Sequence, residues 1–319
     1  MRGNPQGSLW QSPEWKTYQE ALGRGVRVYI GEDGGKIVCS ALVVIDRTTG
    51  GFSTWDIPRG PLWTSEPAVQ ELVNHSIEDA KQDSCLALTF SPTKILKLAT
   101  RNSQLVTSSR HQHPDATILL DLTLADDALL AQMHPKGRYN ISVARKHDVE
   151  IRPSQDIDAF YELLTQTGSR DAFRVLPKRQ YETFLRSLPG AFLLLAYSSS
   201  SSRSSSSSSS SSKAIAGLLG IIWGKTGVYY YGASSYAHRA LMAPYLLQWE
   251  AMRHCRAQGC TTYDLLGIAP ENVANHPWAG VTEFKRKFGG TVVNYPPEQQ
   301  IILKPWITKL LQCKRMLLG

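Results

Sequence analysis

Apolar positions along the chain alternate between two periods, and the alternation predicts two successive α/β modules. Ser12-Pro-Glu-Trp-Lys-Thr-Tyr-Gln-Glu-Ala-Leu-Gly23 has Trp15, Tyr18 and Leu22 on one helical face, a cap at Ser12 and a stop at Gly23. Arg27–Ile30 and Lys36–Asp46 follow as strands, joined by the hairpin signal Gly31-Glu-Asp-Gly-Gly35, and Phe52–Ile57 is a third. Ser65 opens a helix with Val69, Leu72, Val73, Ile77 and Ala80 on one side, and Cys85–Phe90 reads as a buried strand. Thr117–Leu122 is another strand. Two short helical patterns follow, one through Leu124, Leu129, Leu130 and Met133, the other through Ile141 to Ala144.

The second module reads in a similar order. Asp156–Gly168 is an amphipathic helix, and Ala191–Tyr197, Ala214–Trp223 and Val228–Tyr231 are strands. A long helix, Arg239–Gln258, stops at Gly259, and Thr262–Leu266 and Thr291-Val-Val-Asn294 are the last strands expected. Ser198–Ser212 is serine throughout except Arg203; such a tract cannot bury a core and is expected to extend a hairpin loop into solvent. The chain is therefore expected to be α/β (α+β), with two modules that divide near Val149.

The composition sharpens this picture only in part. In 319 residues, 42% are hydrophobic and 19% charged, which suits a folded chain with two ordinary cores. The net charge of +8 favours polyanionic partners without choosing among nucleic acid, diphosphates and anionic membrane. Five scattered cysteines without a CxxC pair suit reduced thiols in a cytosol. The N-terminus lacks an apolar stretch, so no signal peptide is expected, and Ala214–Trp223 is too short to span a bilayer.

Candidate chemistry concentrates in Val273–Gly290. There Lys285, Arg286 and Lys287 lie between Phe284 and Phe288 and are closed by Gly289-Gly290. Three cations beside two rings suit an anionic ligand with a stackable base or sugar, and they equally suit a solvated turn at a strand entrance. A second basic stretch, with Lys136, Arg138, Arg145 and Lys146, is either a solvated helix face or a polyanion footprint. Walker A, Rossmann, HExxH and GxSxG motifs are absent and the eight histidines do not cluster, which disfavours redox, metal and covalent-nucleophile enzymes. Acyl transfer to an amine needs only orientation, an oxyanion stabiliser and a proton acceptor.

Several motifs taken in order resemble the Fem family of peptidoglycan cross-bridge peptidyltransferases (FemA/FemB/FemX type). They are Gln11–Trp15, Ile57-Pro-Arg-Gly-Pro61, Thr117–Leu122, Lys136–Ile141, Tyr231-Gly-Ala-Ser234, Ala243–Glu250, Tyr263-Asp-Leu-Leu-Gly267 and Phe284-Lys285 through Gly290. The resemblance covers nearly the whole chain. It implies two tandem acetyltransferase-like (GNAT) domains, 1–149 completed by the returning segment 298–319, and 150–297, without a coiled-coil arm, as in the compact FemX-like branch. It implies transfer of an amino acid of the Gly, Ala or Ser class from aminoacyl-tRNA, a co-substrate in place of any cofactor or metal. The acceptor is the side-chain amine of residue three in the stem peptide of UDP-MurNAc-pentapeptide or lipid II. A cytoplasmic monomer with peripheral contact to the inner membrane face is expected.

Residue by residue, the resemblance implies that Lys285, after Phe284, neutralises phosphate and the tetrahedral oxyanion. Tyr231 falls in the tyrosine-rich strand end that touches the acceptor, and Lys16 lies within a residue of a family lysine that contacts the nucleotide. The family's UDP-binding arginine has no match, and Arg174 and Lys178 are nearest, with Tyr181 on the same segment. Relatives often carry Asp-Pro where this chain has Ser91-Pro92, so no general base is assigned. Two other readings stay open: a GNAT-type acyl-CoA N-acyltransferase, whose pyrophosphate turn has its nearest counterpart in Arg239-Ala-Leu-Met-Ala, and a non-catalytic protein that binds tRNA or wall precursor. The apolar C-terminal residues Trp306, Ile307, Leu310 and Leu311 are expected to pack on the first domain.

Overall fold

The computed structural model describes residues 7–98, 105–108, 112–198, 213–270, 276–308 and 310. The chain forms two compact units, residues 1–115 with 294–319, and 116–293. Sequence patterning alone puts the division after 149. It falls earlier because the strand Ala116–Asp121 pairs antiparallel with Thr262–Asp264 in the second unit's sheet. The two short helices after it go with the second unit too.

In the first unit, α1 (Pro13–Ala21) begins as expected: the Ser12 side chain accepts from the Trp15 N–H and Pro13 fills the first turn. The strands are β1 (Gly25–Asp33), β2 (Lys36–Thr49), β3 (Phe52–Ile57), β4 (Leu62–Trp63), β5 (Cys85–Phe90) and β6 (Leu105–Thr107), with α2 (Glu66–Gln82) between β4 and β5. Strand order is β1-β2-β3-β5, then the C-terminal strand Gln299–Ile302, then β6; β4 pairs with β2. The core lies under α2, where Val69, Leu72, Val73 and Ile77 meet Ala41, Val43, Trp55, Leu88 and Phe90. Residues Gln299–Ile302 and β6, four and three residues long, are not among the strands expected from the sequence.

The turn after β3 carries the Ile57–Pro61 motif. Arg59 adopts a left-handed backbone (φ 52°), is 4% exposed, donates to the Pro114 carbonyl at 2.8 Å, and stacks 4.0 Å from the Tyr295 ring. Gln11 locks the same turn: its amide donates to the Pro58 carbonyl at 2.7 Å, and its carbonyl accepts from the Leu42 N–H at 2.7 Å. A Cβ at Gly60 would fall 2.6 Å from the Gln11 Nε2, so the glycine makes room for the clamp.

In the second unit, β7 (Ala116–Asp121) is followed by α3 (Asp126–Gln132), α4 (Pro135–Lys146), β8 (Val149–Ser154), α5 (Ile157–Asp171) and α6 (Lys178–Ser187). Then come β9 (Ala191–Ser198), β10 (Ala214–Trp223), β11 (Thr226–Ser234), α7 (Ala243–Ala257), β12 (Thr262–Asp264), α8 (Ala279–Arg286), β13 (Thr291–Asn294) and, back in the first unit, β14 (Gln299–Ile302). The order in this second sheet is β13-β7-β12-β11-β10-β9-β8, and β11 and β12 run parallel. Trp249, Met252 and Cys255 of α7 pack over it with Ile118, Leu120 and Phe288. The single helix expected over 239–258 is broken: Arg239–Leu241 is a 3-10 turn, Met242 is left-handed (φ 53°), and Pro244 starts α7. Residues 199–212 of the serine tract lie outside the described residues.

The apolar C-terminal group does not pack as expected, since Trp306 is 83% and Leu310 71% exposed and only Ile307 is half-buried; Leu311 lies outside the described residues. No helix among the described residues is long and apolar enough to cross a membrane.

Gln11→Ala should destabilise the first unit by about 2 kcal/mol, because it strands the buried Leu42 N–H and Pro58 carbonyl. Urea unfolding followed by tryptophan fluorescence measures this, and an unchanged midpoint would show that the clamp contributes nothing.

Candidate functional site

Lys285 lies on the buried face of α8, only 7% exposed. Its ammonium donates to the Leu266 carbonyl at 2.8 Å and the Gly267 carbonyl at 2.6 Å, and sits 5.5 Å from the centre of the Tyr229 ring. No carboxylate touches it among these contacts. Burial drags its pKa down to about 8, against the opposing pull of Asp264. The side chain therefore remains mostly cationic at pH 7 while sitting in a desolvated place, and two of its three N–H groups meet acceptors among the described residues.

The carbonyl pair exists because the chain turns sharply after β12. Leu266 is left-handed (φ 55°), and Asp264 holds it there by accepting from the Leu266 N–H at 2.7 Å. The same carboxylate oxygen accepts from the Thr117 hydroxyl on β7. One turn before Lys285, the Thr282 hydroxyl accepts from the Ala269 N–H at 2.8 Å. Helix α8 is thus fastened to the 264–269 turn at two points three residues apart, which is helical spacing. Asp264 and Thr282 do not stand out in the sequence. A polar residue three before a buried lysine is a weak signal, and Asp264 shows its role only once β7 and β12 are paired.

The basic cluster does not converge on one ligand. Lys285 turns inward, Lys287 pairs with Glu283 at 2.9 Å, and Arg286 is exposed. Phe288 is fully buried core, and Phe284 packs edge-on against Tyr245 and Phe288, each at 5.1 Å. The two rings serve the fold rather than a stacked base. Gly289 and Gly290 face their own unit as well: a Cβ on Gly290, at φ 88°, would fall 2.5 Å from the Leu119 carbonyl. Residues 273–275, where this stretch begins, lie outside the described residues.

Tyr231 and Tyr181 come together at 4.9 Å in a nest with Phe184 and Tyr230. Tyr181 is 2% exposed and its hydroxyl accepts from the Leu176 N–H at 3.2 Å, so it shapes the segment entering α6. Tyr231 is half-buried, and the neighbouring Gly232 leaves the space filled by the Tyr229 hydroxyl. Burial pushes that hydroxyl's pKa up to about 12. Lys178 is held by Asp158 and, at 3.5 Å, by Glu182. Arg174 is exposed ahead of α6. Lys16 belongs to the first unit, exposed on α1 and paired with Glu20 at 2.7 Å. Ser91 is buried, its hydroxyl accepting from the Arg59 N–H at 3.0 Å. Arg239, nearest to a pyrophosphate turn, folds back on its own segment, 4.1 Å over the Tyr236 ring. The described residues hold no cluster of three or more potential metal ligands.

Comparison with known proteins follows the same lines. The FemAB family matches residues 1–116 and 199–315. A lipid II:glycine glycyltransferase of Staphylococcus saprophyticus is 22% identical over 97% of this chain and 94% of its own length. One from Staphylococcus aureus is 21% identical over the same shares. Among solved structures, FemX matches with a TM-score of 0.78 at 18% identity, over 97% of this chain and 96% of that one. The C-terminal domain of a putative lysylphosphatidylglycerol synthetase from Agrobacterium fabrum matches at 0.55 and 14%, over 91% and 87%. The fold is therefore the mixed α/β one expected, with two sheets, and it is shared with FemX over nearly the whole chain.

A lysine whose pKa in the folded chain is about 8 rather than 10.5 binds fewer protons there than in the unfolded chain across that range. Stability from this residue therefore rises with pH between about 8 and 10.5, by up to about 3 kcal/mol at 1.36 kcal/mol per unit. Urea unfolding of the wild-type chain and of Lys285→Met should diverge over that window in this direction. Parallel profiles would mean that Lys285 is not desolvated.

Proposed function

The chain belongs to the FemAB family, and from that premise we propose that it transfers an aminoacyl group from aminoacyl-tRNA to a peptidoglycan precursor, building the cell-wall cross-bridge. The acceptor is the side-chain amine of residue three of the stem peptide, on lipid II or its UDP-linked form. The observation that carries this reading is the buried Lys285 ammonium, held by two backbone carbonyls. The relatives named lipid II:glycine glycyltransferase, aligned along nearly the whole chain, support it.

The chemistry follows from that cation. The acceptor amine attacks the carbonyl carbon of the aminoacyl ester. A C–N bond forms, negative charge gathers on the carbonyl oxygen, and the ester C–O bond then breaks. The ribose hydroxyl leaves with a proton, and the proton lost by the amine passes to water or substrate, since no base is assigned. Lys285 meets the transient oxyanion in a place where water does not screen it. The carbonyls of Leu266 and Gly267 fix the ammonium beforehand, so little reorganisation is needed as charge develops. Tyr231, Arg174 and Lys178 on the second unit, and Lys16 on the first, are the positions proposed for substrate binding, while Tyr181 and Phe284 act by packing beside them on the second unit.

Purified protein, a charged tRNA pool and either lipid-linked or UDP-linked pentapeptide should yield a mass gain of one aminoacyl residue. Lys285→Ala should lower kcat by about 10²–10³, with KM for either substrate changed only a few-fold. The wild-type rate should fall as pH rises through about 8, where Lys285 loses its proton. Lys285→Arg, whose charge persists, should lack that descending limb. A product labelled from an acyl-CoA, with none from charged tRNA, would overturn the reading.

A further inference from the structure

Helix α4 presents an outward stripe that the site above does not use. Lys136, Tyr139, Ser142 and Lys146 are exposed at helical spacing, while Gly137, Asn140, Ile141 and Ala144 are buried on the opposite side. Tyr139 is 66% exposed, an amphipathic ring laid on water between two lysines. From Lys136 to Lys146 the stripe runs about 15 Å, at about 1.5 Å per residue.

The stripe is continuous with the helix that carries Lys285. The first turn of α4 abuts the end of α8: the His134 N–H donates to the Lys287 carbonyl at 3.1 Å, and a Cβ on Gly137 would fall 2.5 Å from that oxygen. Lys136 is near enough to Glu283 to help hold its carboxyl below the usual range, behind the larger effect of Lys287. Arg286 stands exposed on α8, one residue after Lys285. Arg138 is occupied elsewhere, donating to the Leu130, Ala131 and Met133 carbonyls at the end of α3. Acids near the stripe include Glu283, which Lys287 already engages, Glu250, 3.9 Å from Arg145, and the exposed Asp148 just past the end of α4. Lys136 and Lys146 leave it basic.

Cations spaced along a ridge with a water-facing aromatic ring suit single-stranded nucleic acid: the charges follow phosphates and the ring takes a base face. We propose that the α4 stripe holds the single-stranded 3′ end of the donor tRNA, Lys136 and Lys146 meeting its phosphates and Tyr139 stacking on one of its bases. This rests on the reading of the chain as tRNA-dependent, and it locates the donor on a surface of the second unit.

The test measures binding of a labelled RNA hairpin with a single-stranded 3′-CCA end, as a function of salt, together with steady-state transfer kinetics. The variants are Lys136→Glu/Lys146→Glu, Tyr139→Ala and Tyr139→Phe. The charge-reversal pair should weaken RNA binding at least tenfold and flatten its salt dependence by about 0.7 for each phosphate no longer neutralised. Tyr139→Ala should raise KM for charged tRNA about tenfold with kcat and the acceptor KM unchanged, and Tyr139→Phe, which keeps the ring, should restore it. Wild-type transfer with all variants at wild-type RNA affinity would overturn this inference alone. Variants that lose binding to phosphatidylglycerol vesicles instead of RNA would assign the stripe to a membrane and overturn it likewise. A wild-type chain that neither binds the hairpin nor uses charged tRNA would overturn the functional reading along with it.

Discussion

A positive charge removed from water must be answered by something, and in the second unit Lys285 is answered by two backbone carbonyls. A carboxylate in their place would neutralise the charge, and the ammonium would then have little field left for an incoming anion. Carbonyl dipoles hold the ammonium without cancelling it. The depressed pKa near 8 records what that arrangement costs. Much of the local architecture serves the two carbonyls: the left-handed Leu266, the Asp264 carboxylate that fixes it, the Thr117 hydroxyl behind that carboxylate, and Thr282 tying α8 to the same turn.

The first unit meets a similar constraint differently. The Ile57–Pro61 turn buries Arg59, and a ring and a carbonyl receive its guanidinium: Tyr295 on one side and Pro114 on the other. Gln11 and Ser91 satisfy the backbone around it. Here the buried cation is knitted into the walls of the turn, whereas Lys285 bears the depressed pKa of a desolvated ammonium. That contrast separates a cation that shapes a loop from one suited to chemistry, although residue type alone does not distinguish them.

Sequence patterning reveals the long elements well. Ser12 and Ser65 start their helices as read, because a capping hydroxyl and a following proline act locally. The apolar positions of α2 and the buried run of β5 come through for the same reason. What stays hidden depends on distant partners. Strand β7 reads as part of the first module, and only its pairing with β12 moves it to the second. Lys285 stands out by resemblance, but its burial, its carbonyl partners and the part played by Asp264 arise only from folding. The neighbouring Phe288 misleads for the opposite reason: an aromatic beside cations looks like a ligand platform, and its period places it in the core.

The position of β14 bears on how the molecule is made. This strand lies between β5 and β6 and bonds to both, so the first sheet cannot close until residues 299–302 have been synthesised. The second unit is one continuous stretch, 116–293, and all its strands emerge before β14 does. A chain leaving the ribosome therefore holds its N-terminal half with a gap in the sheet while the later half is free to complete itself. The edges of β5 and β6 stay unpaired through that interval, and an unpaired edge invites pairing with other chains. Synthesis order thus runs opposite to completion order, and production of this protein is most exposed to aggregation just before its last strand arrives.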